Sequence, residues 1–368
     1  YELVTNRQRV PASGTTLRNS LADVDANDYS VRLLGRRTLG PAGIRVGLDA
    51  NGRTGLEALN VVEDFDAAGH PTKSTVEIAV EDARRTDFGA FLEADAPLVA
   101  DRLALTAGVR GDRVTTRNTG GHFGDRSTSD GAFSGFATLS WTFARDWTLS
   151  AQYARGFRDP TLSDRYYRGV SGRGFVVGNP DLKAETSNQW DASVRGRAGR
   201  LNVGLSGYVY RVRNMVERYR AGADYNFRNR GEAEIAGVEL EADVRVAPRL
   251  VVRVLGSLSQ GRVLDDATWA PDVLPPTAQL VLDHEPFDGF FWRGRFVVMA
   301  RDDRPGASEV AVAGYGRLDL AAGCRVSELL SVTLTARNVF DKAYADSPDE
   351  LHVVAPGRGA ILTLSGSF

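Results

Sequence analysis

The residues best equipped for chemistry lie in one stretch, Gly156-Phe157-Arg158-Asp159-Pro160-Thr161-Leu162 through Asn179-Pro180-Asp181-Leu182-Lys183-Ala184-Glu185-Thr186. Between its ends the chain carries Arg158, Asp159, Arg165, Tyr166, Tyr167 and Arg173. A guanidinium pairs as a planar fork with oxygen anions and stacks on aromatic rings. Arginines interleaved with tyrosines therefore suit an anionic, ring-bearing ligand. The plainer use of the same residues is structural: Arg158 and Asp159 pair with neighbouring charges and position the loop. Both uses are open at this point. Elsewhere there is no catalytic constellation. His70, His122, His284 and His352 show no metal-ligand spacing. Three of them are expected in loops and His284 near a turn, all solvated. Gly169 to Gly178 is glycine-rich but no helix follows it, which argues against a phosphate loop. The acidic runs Asp265-Asp266, Asp302-Asp303 and Asp346 to Glu350 offer oxygen ligands of the kind Ca²⁺ takes, although such runs are commonly just solvated. The expectation is a protein that is not an enzyme and has no cofactor and no metal site.

What must position that stretch is a pair of strands. Trp147, Leu149, Ala151 and Tyr153 alternate with Thr148, Ser150 and Gln152 before it. Trp190, Ala192 and Val194 alternate with Asp191, Ser193 and Arg195 after it. A period of two with unlike faces is a strand that meets two different media. The connection is too long for a plain hairpin, so a function is expected of it.

The same scheme runs along the whole chain. Leu103, Leu105, Ala107 and Val109 share one face, and Thr106, Gly108, Arg110 and Asp112 the other. Gly135, Ala137, Leu139, Trp141 and Phe143 make another apolar face. Val238, Leu240, Ala242, Val244 and Val246 alternate with Glu239, Glu241, Asp243 and Arg245. Four ionisable groups on one strand face are costly in a dry core and tolerable in a water-filled lumen. Leu318, Leu320, Ala322, Cys324 and Val326 alternate likewise, as do Leu330, Val332, Leu334 and Ala336. In the last strand Ala360, Leu362, Leu364, Gly366 and Phe368 lie opposite Ile361, Thr363, Ser365 and Ser367. Pro11 to Asp25, Asn51 to Thr75 and residues 118–131 read as loops.

Bulk properties exclude several classes. The chain has 368 residues, yet no Pro/Ser-rich linker or compositional break divides it, so one large architecture is expected. A net charge of -2 leaves no basic footprint for nucleic acid. The single cysteine, Cys324, excludes a disulfide framework and a cysteine metal site, and it reads as a small strand residue. There is no apolar run long enough for a transmembrane helix. A mean hydropathy of -0.25 does not speak against a membrane barrel, whose polar lumen cancels its lipid face in the average. No leader peptide precedes Tyr1, so the sequence reads as a mature or truncated product.

The apolar faces run for about 9–11 residues, the length with which a tilted strand crosses a bilayer. Short turns near residues 41, 98, 145, 199, 248, 287 and 327 alternate with longer polar loops. Short turns on one rim and long loops on the other fit a transmembrane antiparallel β-barrel. Tyr29, Trp141, Trp147, Tyr153, Trp190 and Tyr208 near strand ends suit interfacial girdles. A soluble all-β fold such as a propeller would have tight turns at both ends and no consistent charged face. About 15 strands are predicted, with a further one at Tyr1 to Val10.

Four motifs in order support a family resemblance. The pair Gly156 to Leu162 and Gly178 to Thr186 resembles the paired motif of TonB-dependent outer-membrane receptors. Asn229-Arg230-Gly231 with Ile235-Ala236-Gly237-Val238-Glu239-Leu240-Glu241 resembles their "N-x-G…GVE" strand. Ala336-Arg337-Asn338-Val339-Phe340-Asp341-Lys342-Ala343-Tyr344 is similar to their "NLFDKxY" segment. The strand ending at Phe368, with Leu362 and Leu364, resembles the signal read by the barrel-assembly machinery. The motifs cover roughly residues 140–368, and residues 1–139 match in pattern alone.

The resemblance implies a bacterial outer-membrane protein that imports a scarce large ligand by TonB-energised transport. It implies partners as well: the ligand, foremost a ferric siderophore, outer-membrane lipid, the TonB complex and the assembly machinery. Family barrels have about 22 strands and enclose an N-terminal plug. Nothing in this sequence reads as a plug or as the box that engages TonB. The simplest expectation is that residues 1–368 are the barrel domain of such a receptor, incomplete at its N-terminus. Alternatives are a receptor for cobalamin or a glycan, and a plugless passive or structural barrel. Haem receptors of the family carry a His between the paired motifs. Residues 159–178 hold none, which argues against haem.

Overall fold

In the computed structural model, the described residues are 2–8, 17–171, 174–307, 309–348 and 354–366. The fold is all-β. Among the described residues nineteen strands join one sheet, together with a single short helix, α1 (Leu162–Tyr166). The strands are β1 (Glu2–Gln8), β2 (Leu17–Leu39), β3 (Ala42–Phe65), β4 (Pro71–Val99), β5 (Leu103–Asn118), β6 (Gly120–Gly121), β7 (Arg126–Ala144), β8 (Trp147–Arg158), β9 (Arg168–Ser171) and β10 (Gly174–Val177). They continue as β11 (Glu185–Ala198), β12 (Leu201–Ala221), β13 (Asp224–Ala247), β14 (Leu250–Val263), β15 (Thr277–Phe287), β16 (Phe290–Met299), β17 (Tyr315–Arg325), β18 (Leu330–Arg337) and β19 (Gly359–Gly366).

β6, β9 and β10 are short pieces within loops. The others form one antiparallel meander in which each strand pairs with the next long strand in sequence. β1 lies antiparallel on the upper part of β2, pairing Glu2 with Val24 and Gln8 with Arg18. The strand predicted at Tyr1 to Val10 is thus present as β1. Among the described residues β19 pairs only with β18, and β2 from Asp25 to Leu39 pairs only with β3, so the sheet is a curved wall that is not closed.

The register sorts the side chains as the alternation requires. Glu239 is paired with Ser206 and Ser257, Glu241 with Gly204 and Leu255, and Asp243 with Asn202 and Arg253. Paired residues point to the same side, so these positions share one polar face. Val238, Leu240, Val254, Leu205 and Leu258 occupy the other face and are exposed. An uncovered apolar face around a polar one is the arrangement of a barrel in lipid. Arg253 donates to Asp243 at 2.6 Å and Arg110 donates to Asp49 at 2.7 Å, so the lumen charges are compensated across strands.

All seven short turns fall on one rim. Two of them, at Gly40 (φ 58°) and Gly199 (φ 60°), need the left-handed backbone that glycine adopts without strain. On the opposite rim the structure corrects three readings. Asn51 to Thr75 is not a loop: β3 runs on to Phe65, β4 starts at Pro71, and only residues 66–70 turn. β2 begins at Leu17, inside the stretch read as loop from Pro11 to Asp25. β5 and β7 likewise shorten the loop expected over residues 118–131. These strands project beyond the lipid band, where both faces meet water or loops and the alternation fades. Leu362 and Leu364 lie on the exposed apolar face of β19, and Phe368 lies outside the described residues.

Candidate functional site

The connection between β8 and β11 is a folded cap. It begins with a capping box: the Thr161 hydroxyl accepts the Asp164 N–H at 3.1 Å, and the Asp164 carboxylate accepts the Thr161 N–H at 2.9 Å. This starts α1, which buries Leu162 and Tyr166 against Leu56, Ala58, Ala79, Val80 and Ala83 of β3 and β4. The extension of β3 and β4 past the membrane band thus supplies the floor on which the cap rests.

Arg165 holds the cap together. Its guanidinium donates to the Pro180 carbonyl at 3.1 Å, the Leu182 carbonyl at 2.5 Å, Asp159 at 3.1 Å and Asp130 at 3.3 Å. Asp159 also accepts from Arg85 of β4 at 3.2 Å, and Arg85 donates to the Pro160 carbonyl at 3.0 Å. Burial pushes the Asp159 carboxyl up from its ordinary range, while the Arg165 and Arg85 guanidiniums oppose that shift.

The two halves of the paired motif meet through backbone as well. The Gly178 N–H donates to the Tyr167 carbonyl at 2.7 Å and the Asn179 N–H to the Asp164 carbonyl at 2.8 Å. A side chain at Gly178 would place its Cβ 2.8 Å from the Arg165 carbonyl oxygen, so this close approach demands glycine. The second motif joins them: Asn229 accepts the Lys183 N–H at 2.7 Å and donates to the Lys183 carbonyl at 2.9 Å. The third acts on another loop. Asn338, buried with φ 48°, bonds to Lys342 in both directions at 2.9 Å, and Arg317 donates to the Tyr344 hydroxyl at 2.6 Å.

The candidate ligand residues are therefore distributed as follows. Arg158 is half-exposed and paired with Glu185 at 2.9 Å and Asp164 at 3.2 Å. Asp159, Arg165 and Tyr166 are buried, with the Tyr166 hydroxyl 3.1 Å from that of Thr116. Tyr167 is half-buried and donates to the Val170 carbonyl at 2.6 Å. Arg173 lies outside the described residues. Sequence reasoning had a signal for this inward arrangement: Thr161-x-x-Asp164 ahead of an apolar residue starts a helix, and a five-residue helix on a sheet must bury one side.

Other polar groups converge on this rim and were not singled out by sequence. Beneath the cap, a cleft of about 660 Å³ is lined by Phe91, Phe136, Arg85, Arg110 and Arg158. Further round, buried Glu217 accepts from Arg228 at 2.9 Å and Arg230 at 2.5 Å. Among the described residues no cluster of His, Cys, Asp and Glu is arranged to hold a metal ion.

Comparison with known proteins follows the same lines. The family described as TonB dependent receptor-like, β-barrel, matches residues 1–339. Among solved structures, the copper transporter OprC is 22% identical with a TM-score of 0.81, over 96% of this chain and 58% of that one. The ferric yersiniabactin uptake receptor FyuA from Yersinia pestis is 17% identical with a TM-score of 0.72, over 99% and 57%. The siderophore receptor PiuA from Acinetobacter baumannii is 14% identical with a TM-score of 0.73, over 99% and 57%. The chain thus spans less than two thirds of each of these proteins, and identities this low speak for the fold alone. The extent of the family match, the meander and the rim of braced loops agree: this chain belongs to the TonB-dependent receptor β-barrels, a family of outer-membrane transporters and receptors.

Proposed function

We propose that this chain is the larger part of the barrel wall of a receptor that imports a chelated metal ion, foremost a ferric siderophore, by TonB-energised transport. The observation that carries this reading is the family match over residues 1–339. Two neighbours named for siderophores are similar over nearly the whole chain. On this reading Arg165, Asp159 and Tyr166 position the cap. Arg158, Tyr167 and Arg173 are the members of the set left to meet an anionic chelate. The lumen pairs Arg110–Asp49 and Arg85–Asp87 form the wall against which a plug would lie, and through that plug the receptor would engage TonB.

The likeness to OprC makes copper the second reading. Ligand binding separates the two. The full receptor would be titrated with a ferric catecholate, a ferric hydroxamate, Cu²⁺, cobalamin and an oligosaccharide, followed by quenching of its tryptophan fluorescence. Saturable binding of a ferric chelate is expected. Saturation by Cu²⁺, cobalamin or the oligosaccharide alone would replace the ligand, and saturation by none would favour a passive barrel.

A further inference from the structure

The outward face of the wall carries a feature that ligand import does not use. Between β11 and β15, a groove of about 740 Å³ runs along the apolar side, lined by Trp190, Val209, Val238 and Leu258. Its floor is small because Ala192 pairs with Gly207, and Val209 with Ala236. A Cβ added at Gly207 would meet only ordinary contacts, 3.7 Å from the Gly237 carbonyl oxygen and 4.0 Å from Val238. The groove is therefore shallow and mostly apolar, with room above Gly207 that no side chain fills.

Its upper end is cationic. Arg304 lines it beside Gln260 and Pro276. Trp269 is bridged to Arg262 and lies under both guanidiniums, 4.5 Å from Arg262 and 5.5 Å from Arg304. Bridged residues point to the same side, and Arg262 shares its side of β14 with Leu258 and Gln260. The charges therefore look outward, away from the lumen. Of the neighbouring carboxylates, Glu234, across the strand from Arg262, accepts from Arg211 at 2.7 Å, Asp266 is paired with Arg230, and exposed Asp303 makes only a loose ion pair with Arg304 at 4.0 Å. Among the described residues Arg262 has no ion-pair partner.

The height is that of a membrane surface. Arg262 follows Leu250, at the turn rim, by about twelve residues, roughly 28 Å for a strand tilted by about 45°. The apolar band of such barrels is about 25 Å tall. Two guanidiniums held over an indole at this boundary, above an empty apolar groove, complement an amphiphile with an anionic head. We propose that the groove holds an acyl chain of a phosphorylated lipid of the outer leaflet, with its phosphate on Arg262 and Arg304. Arginine matches phosphate as a fork, and the ring beneath keeps both side chains in place.

The test uses the full receptor, extracted in mild detergent and studied by native mass spectrometry. The probes are bisphosphorylated lipid A, the same lipid with its phosphates removed, phosphatidylcholine and inorganic phosphate. One bound bisphosphorylated lipid is expected, not displaced by millimolar inorganic phosphate. R262A/R304A should weaken it about tenfold or more, since a hydrogen bond to a charged group is lost at each arginine. G207L, which leaves both arginines in place, should weaken it by closing the groove. Heat-modifiable gel mobility reports that each variant is folded, and should R262A/R304A not fold, G207L gives the result alone. The proposal is overturned if the dephosphorylated lipid binds as tightly, if inorganic phosphate competes, or if folded variants retain the lipid. Ferric-chelate binding should be the same in all of them, so failure here is separable from failure of the import reading.

Discussion

The guanidinium of Arg165 stands 3.1 Å from the carboxylate of Asp159, and both side chains are 1% exposed. A buried pair of this kind is not a strong stabiliser in itself, but removing one partner leaves the other under-compensated in a dry site, Asp159 with Arg85 alone or Arg165 with Asp130 alone, at a cost of up to about 3–5 kcal/mol. R165A should therefore release the cap from β3 and β4 while the barrel stays folded. Amide exchange over residues 159–184 should accelerate accordingly. The double variant D159A/R165A should cost less than the sum of the single ones, because the two residues share one network.

Asn338 provides an independent check on the third motif. It is 2% exposed, sits in the left-handed backbone region, and satisfies Lys342 and the Pro356 carbonyl. N338A should cost about 1–3 kcal/mol through the buried groups it leaves unpaired. N338G keeps the backbone conformation accessible and should cost less than N338A. Exchange of the Lys342 amide would separate the two effects.

The assignment of faces is testable on two neighbouring strands. Leu240 is 40% exposed on the outward side of β13, whereas Ser206 of β12 pairs with Glu239 on the lumen side. L240R should destabilise the barrel folded into lipid by about 2–4 kcal/mol, the cost of arginine near the bilayer midplane. S206R should be close to neutral, since Glu239 and Glu241 line the same cleft. A larger cost for S206R than for L240R would mean that the faces are reversed, and equal costs would mean that the sheet does not meet lipid.

The outer loops should respond to pH in opposite directions. Hydrogen bonds from Thr268 and the Arg230 guanidinium hold the Asp266 carboxyl down at about 2. A depressed carboxylate contributes stability above its unfolded value and loses it as pH falls toward the folded one. Order over residues 264–268 should therefore decline from about pH 4 to pH 2. Burial pushes the Glu309 carboxyl up, against its hydrogen bonds from Asp272 and Gly306. A raised carboxyl does the reverse: its contribution is present below the unfolded value and declines as pH rises through the folded one. E309Q should remove the second dependence and leave the first, as read by amide exchange across a pH series.

The wall was legible in the sequence because each strand crosses between water and lipid, and that contrast is written every second residue. Glu239, Glu241 and Asp243 opposite Val238, Leu240 and Ala242 are enough to orient β13. Where the contrast ends, so does the signal. Asn51 to Thr75 reads as a loop, yet the chain only bulges between Arg53 and Leu56 and continues as strand, with Leu56 and Ala58 buried beneath α1. The cap shows a different limit. Residue type drew attention to Arg165 and Tyr166, but which way they point depends on a floor about 80 to 110 positions earlier, which local pattern does not contain. The same holds for Arg262 and Arg304, distant in sequence and joined by one indole.

The proposed energised import of a chelated metal is tested by uptake of ⁵⁵Fe-labelled catecholate and hydroxamate chelates by cells that carry the full gene, cells that lack it, and both after collapse of the proton-motive force. Saturable uptake of one chelate, lost on deletion and on de-energisation, is the expected result. Uptake of every chelate that is unchanged by deletion, or that rises linearly with concentration and ignores the proton-motive force, would contradict it.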